Sequence, residues 1–202
     1  MPFSDTGRNT MLSSFVAAYP WLSLHSAYST SGANEMTGGS PAYARQQAVF
    51  DSPSGGAIAI TGTETFDVAT SSTVAFFGAW SASTAGNFAG MFPLQAGTPK
   101  AFTAATSDTI TAPAHGLSDT NTVVVWASAG GTLPTGLTAG TIYYIRDSAT
   151  DTFKLAASSG GAAIDLTAAG AGVMQTITVF TYSAQGTLAL SDPSAGSMFT
   201  VV

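Results

Sequence analysis

The chain has 202 residues, of which 45% are hydrophobic and only 8% charged, with a formal net charge of -6. That length and apolar content provide for one large domain or two small ones with a buried core, whereas five Lys and Arg residues scattered along the chain exclude the clustered basic stripe that a phosphate backbone needs. Cysteine is absent, which excludes disulfides, thiolate metal sites and cysteine nucleophiles.

The charged fraction lies far below the roughly 25% of an ordinary soluble domain. So sparse a surface favours association, and we expect a homo-oligomer. The 22 glycines, with abundant Ser, Thr and Ala, suit short strands and turns better than long helices. "MPFSDTGRNTMLSS" lacks a basic stretch followed by an apolar run, so no signal peptide is expected. No segment approaches the roughly 20 apolar residues of a membrane span, and no membrane partner is expected.

One helix is predicted first. Ser4 or Asp5 caps it, Met11, Phe15 and Ala18 share a face with Leu12 and Val16 beside them, and Pro20 stops it. "WLSLHSAYS" alternates, Leu22 and Leu24 one way and Ser23 and His25 the other, which predicts a half-buried strand. "STSGANEMTGGSPAYAR" is rich in turn residues and predicts a long loop. "QQAVFDS", "GAIAIT", "ETFDVAT", "STVAFFGAWSA" and "NFAGMFPL" then follow as short strands. In the fourth, Val74, Phe76 and Trp80 are in phase and Phe77 points away.

From Phe102 the texture changes. "TNTVVVWAS" is a β-branched strand, "GGTLPTGLTAGT" a turn region and "TIYYIRDSATDTFKLAAS" a hairpin; "GGAAIDL" and "AGVMQTITVF" add two strands. "AFT" at Ala101–Thr103 recurs as "VFT" at Val179–Thr181. Removing what lies between joins the flanks into one small β-domain. We therefore expect a host domain at 1–103 and 181–202 with an inserted β module at 104–180.

Chemistry-bearing clusters are scarce. His25 and His115 lie far apart with no partner at ligand spacing, and His115 in "PAHGL" suits a turn-stabilising role. Asp147 and Asp151 share a turn without the Gly and Glu of a calcium loop, and Asp108 and Asp119 are isolated, so solvated turn carboxylates are expected. There is no G-x-S-x-G elbow and no P-loop, and nothing pairs Glu35, Glu64 and Asp67 across a cleft. Trp21, Trp80, Trp126, Tyr43, Tyr143 and Tyr144 line either a sugar site or the core. No cofactor or metal is expected.

Two motifs carry a resemblance. "SLHSAYSTSGANEMTGGSPAYARQ" and "FDVATSSTVAFFGAWSASTAGNFAG" resemble a family of small tailed-bacteriophage virion proteins of tail-fibre or minor-tail type, over Met1 to about Leu94. The departure is "AYSTSG", which lacks the family's Asp-Pro turn. "HGLSDTNTVVVWASAGGTLPTGLTAGTIYYIRDSATDTFKLAASSGGAAIDLTAAGAG" resembles a recurrent accessory module of phage surface proteins. The resemblance implies a non-enzymatic virion structural protein, made in the bacterial cytoplasm and built into the particle. It is tail-associated in the first reading; a capsid decoration protein and a receptor- or glycan-binding module are the alternatives. The expected fold is mainly β: a sandwich or jelly-roll-like host with one N-terminal helix, plus an Ig-like module.

The partners expected are other copies of the chain and other virion proteins. Docking would fall to the helix, through Met11, Phe15 and Tyr19, and to the "GANEMTGGSPAYAR" loop, with Glu35, Tyr43 and Arg45 and an ion pair between Glu35 and Arg45. A glycan would meet Trp126, Tyr143 and Tyr144 on the exposed surface of the insert.

Overall fold

Ser4 caps the helix that the N-terminal segment predicts. In this computed structural model, which describes residues 3–191 and 199–200, its backbone is extended and its Oγ accepts the Gly7 N–H at 3.2 Å. Such a cap satisfies one of the amides that a helix start leaves without a partner. Helix α1 (Asp5–Ala18) ends where Tyr19 N–H donates to the Phe15 carbonyl, one residue before Pro20. Its hydroxyls turn inward on the helix itself, Thr10 to Thr6 O and Ser14 to Thr10 O. Leu12 is its buried residue, and Met11 is 37% exposed. Positions 1–2, 192–198 and 201–202 of the expected host domain lie outside the described residues.

Short strands follow, as the turn-rich sequence demands. They are β1 (Trp21–His25), β2 (Gln46–Gln47), β3 (Ala57–Ile58), β4 (Thr63–Val68), β5 (Ser72–Val74), β6 (Phe76–Trp80), β7 (Phe88–Pro93), β8 (Lys100–Ala104), β9 (Ile110–Thr111), β10 (Thr122–Ala127), β11 (Ile142–Arg146), β12 (Thr152–Ala156), β13 (Gly170–Thr176), β14 (Phe180–Tyr182), β15 (Gly186–Ser191) and β16 (Phe199–Thr200). The protein is mainly β, and α1 is the single helix among the described residues.

The chain divides into two compact units, Met1–Ser26 with Thr30–Met91 and Thr181–Val202, and Ala27–Ser29 with Phe92–Phe180. The first unit holds a four-stranded sheet in the order β2-β1-β6-β7 and the ribbons β15-β4 and β16-β3; β14 pairs with β5 in a third ribbon. The sandwich expected there thus takes the form of one small sheet with accompanying ribbons. β1 and β6 run antiparallel with Ser23 opposite Gly78 and His25 opposite Phe76. Both strands are buried on both faces. Leu22, Ser23, Leu24 and His25 are all 0% exposed, and Phe77 is buried like Phe76. The half-buried strand predicted from alternation is therefore corrected: its polar face is buried too.

The second unit is a closed barrel in the order β10-β11-β12-β9-β8-β13. This corrects the Ig-like expectation. β13 pairs with β10 on one side and β8 on the other, so no edge is left to form a two-sheet sandwich. Alternate residues fill the lumen: Val123 and Val125, Tyr143 and Ile145, Phe153 and Leu155, Ile110, Phe102 and Met174. The boundary moves as well. Lys100–Ala104 pairs with Gly170–Met174, so the barrel needs residues ahead of position 104, and the unit starts at Phe92. The texture change at Phe102 falls inside β8, after the unit has begun.

Candidate functional site

The loop that leaves β1 carries "GANEMTGGSPAYAR", and the structure folds its polar side chains inward. Arg45 forks onto Glu35, Nε to Oε1 at 2.8 Å and Nη2 to Oε2 at 2.7 Å. Its Nη1 donates to the carbonyls of Ala82 (3.0 Å) and Ala85 (2.7 Å). The guanidinium lies over the Trp80 ring, 3.5 Å from its centroid. The planar fork suits a carboxylate on one edge, carbonyls on another and a ring on its face, a set of contacts an ammonium cannot reproduce. The two side chains are 8% and 20% exposed, so this ion pair is screened far less than one in water.

The chain of hydrogen bonds continues beneath the ring. Trp80 Nε1–H donates to Ser23 Oγ at 2.8 Å, and Ser23 Oγ–H donates to His25 Nε2 at 2.6 Å. His25 Nδ1–H donates to the Ala33 carbonyl at 2.9 Å. Since a carbonyl only accepts, Nδ1 carries a hydrogen, and in the neutral ring that burial favours Nε2 is left to accept from Ser23. Burial pulls the His25 pKa below its ordinary 6.5, against the opposing pull of the Ala33 carbonyl and the Glu35 carboxylate. Tyr43 closes the other side: its Oη accepts the Leu24 N–H at 2.8 Å and faces Glu35 Oε1 at 3.4 Å. Burial raises its pKa, so the phenol stays neutral.

Two glycines make this packing possible. A Cβ on Gly78 would lie 2.8 Å from both His25 Nε2 and Ser23 Oγ. Gly32, at φ +77°, lets the loop pass against the Trp80 ring where a Cβ would collide with it. Ser23 and His25 stand as a nucleophile and a base would, yet both are 0% exposed and the indole N–H already occupies the hydroxyl. A substrate atom has no approach to that oxygen. Among the described residues, no group of three or more His, Cys, Asp or Glu side chains is placed to hold a metal ion.

Of the residues predicted to dock, Glu35, Tyr43 and Arg45 are thus brought together, as internal braces. The expected ion pair is present. Met11 is at the surface of α1, whereas Phe15 and Tyr19 are half-buried and pack on each other at 5.5 Å between ring centroids. Ser23, His25 and Trp80 complete the network, and sequence reasoning assigned them no role in it. The signal was Gly78 inside a strongly apolar strand, which marks a close approach.

The second motif resolves in the same way. His115 Nδ1 accepts the Leu117 N–H at 2.9 Å, the turn role expected of it, and its ring meets Phe153 edge-on. Asp151 accepts from Ala114 N–H, Asp119 from Ser148 N–H and Asp108 from Leu166 N–H. These carboxylates clamp loops; they are more than solvated turn residues. Arg146 donates to the Gly161 carbonyl, and Lys100 to the carbonyls of Ala114 and His115. The exposed aromatic surface is corrected at Tyr143. It is 4% exposed, points into the barrel, and accepts the Thr138 N–H on its hydroxyl at 2.8 Å. Trp126 is half-buried and meets Tyr28 edge-on at 6.4 Å; Tyr144 is half-buried.

A family model described as Podophage GP4 fiber I protein gp80 matches residues 3–120, more than half of the chain. No curated protein and no solved structure matches.

Proposed function

Because the chain belongs to the Podophage GP4 fiber I protein gp80 family, we propose that it is a structural subunit of a phage fibre, mounted on the tail and acting without catalysis. The chain is a phage tail-associated structural protein and a component of the virion. The assignment to a fibre rests on the family match across 3–120. It is supported by what the motif residues do: Glu35, Tyr43, Arg45, Ser23 and His25 bond to one another and to the backbone. A motif built this way holds a loop rigid for assembly.

In this reading the neighbours are other virion proteins and further copies of the chain. With Glu35, Tyr43 and Arg45 turned inward, contact falls to the exposed part of α1 around Met11. The test is the copy number per purified virion, measured by quantitative mass spectrometry against the major capsid protein. We expect a handful to a few tens of copies. Hundreds would place the protein on the head shell as a decoration protein, and absence from the particle would overturn both placements.

A further inference from the structure

We propose that His25 is an acid-sensitive latch, whose protonation releases the 33–36 loop segment from β1. The inference is independent of where in the virion the protein sits. Its basis is the direction of the hydrogen bonds. Trp80 Nε1–H donates to Ser23 Oγ, Ser23 Oγ–H donates to His25 Nε2, and His25 Nδ1–H donates to Ala33 O. With the imidazole neutral the row runs one way, and each of its hydrogens meets an acceptor. A proton on Nε2 would face the Ser23 hydroxyl, which must then turn its own hydrogen away, in a site where both residues are 0% exposed. A buried donor without an acceptor is costly, and so is a buried cation.

The charged and titratable groups around the ring do not remove that conflict. Glu35, whose backbone bridges to His25, favours the cation, while Arg45 opposes it. Glu35 is already engaged by the Arg45 fork and faces the Tyr43 hydroxyl. Phe88 packs on another side at 6.2 Å between ring centroids, offering no polar partner.

The latch holds a definite segment. Ser26 N–H donates to Asn34 O at 3.0 Å and Met36 N–H to Leu24 O at 2.9 Å. These bonds tie 33–36 alongside β1, and Ala33 O is fixed by the imidazole itself. The sign follows from linkage. Burial holds the folded-state pKa of His25 below 6.5, so under acid the opened or unfolded chain binds a proton that the closed loop does not. The stabilisation is complete above about pH 6.5, the unfolded value, and is lost as the pH falls from there through the folded-state pKa.

The experiment is an NMR titration of the full chain from pH 7.5 to pH 4.5. It follows the Ser26 and Met36 amides, the Trp80 indole N–H and the His25 ring signals together, in the wild type and in His25→Asn, which keeps a donor near Ala33 O but has no titrating ring. We expect the three N–H signals to leave their native positions in the pH interval where the His25 ring takes up its proton, and to stay in His25→Asn. Native signals persisting at pH 4.5 in the wild type would overturn the latch. So would the same loss in His25→Asn, which would place the acid sensor outside the His25 ring. Should that variant fail to fold, the wild type decides alone: N–H loss and ring protonation in separate pH intervals would overturn the proposal.

Discussion

Arg45 is the residue on which the "GANE…YAR" motif converges. Its four donor contacts join Glu35 on the loop to two carbonyls of the 82–85 turn, and its face covers Trp80. Arg45→Met keeps the stem and removes the charge, leaving the Glu35 carboxylate, 20% exposed, without its partner. We expect a loss of roughly 3 kcal/mol, the cost typical of breaking a buried pair from one side. Urea unfolding of Arg45→Met, Glu35→Gln and the double variant checks it. A double variant closer to wild type than Arg45→Met would identify the orphaned carboxylate as the cause.

At the scale of elements, alternation was a sound guide in the barrel and an incomplete one in β1 and β6. In β10 to β12 the inward set Val123, Val125, Tyr143, Ile145, Phe153 and Leu155 follows the period of a strand. In β1 the same period put Ser23 and His25 on a face expected to meet water. That face instead meets Gly78 and Trp80, because polar groups that satisfy one another can be buried as an apolar face is. Tyr143 shows the same distinction. The aromatic is legible in "TIYYIR", but only the barrel decides that 143 points in and 144 does not. Tyr143→Phe keeps the packing and removes the acceptor of the Thr138 N–H. We expect about 1 kcal/mol of destabilisation, read from the unfolding midpoint, with no loss of barrel structure by circular dichroism.

For the whole molecule, the sequence reads as an insertion at 104–180, and the second compact unit spans Phe92–Phe180 with Ala27–Ser29. The two connectors remain paired beyond the expected boundary: Thr178 N–H donates to Leu94 O at 3.0 Å, and Gly97 N–H to Thr176 O at 3.2 Å. Replacing residues 94–178 by a short Gly-containing turn therefore joins ends that are already adjacent. We expect that chain to stay soluble and to unfold cooperatively. Removing 104–180 strands β8 without its β13 partner and takes Phe180 from β14; we expect it to aggregate. Equal behaviour of the two deletions, measured by gel filtration and thermal unfolding, would overturn this boundary.

The few basic residues also share a role at this scale. Arg8, Arg45, Lys100 and Arg146, four of the five basic residues, each donate to a backbone carbonyl of this chain. Such cations act as clamps for turns that a glycine-rich chain would otherwise hold weakly.

The sequence by itself determined the β class, an N-terminal helix capped at Ser4 or Asp5 and the family resemblance, and it raised the pairing of Glu35 with Arg45 as an expectation. Each of these rests on local chemistry, namely periodicity, capping, charge and a motif of fixed spacing. Only the tertiary structure decided that the module closes into a barrel, that it begins near Phe92, and that Ser23, His25 and Trp80 form one buried row with the motif. Those outcomes depend on which strands become neighbours. Residues 23, 25, 33 and 80 meet through strand pairing and a loop crossing, and a one-dimensional pattern does not carry that information.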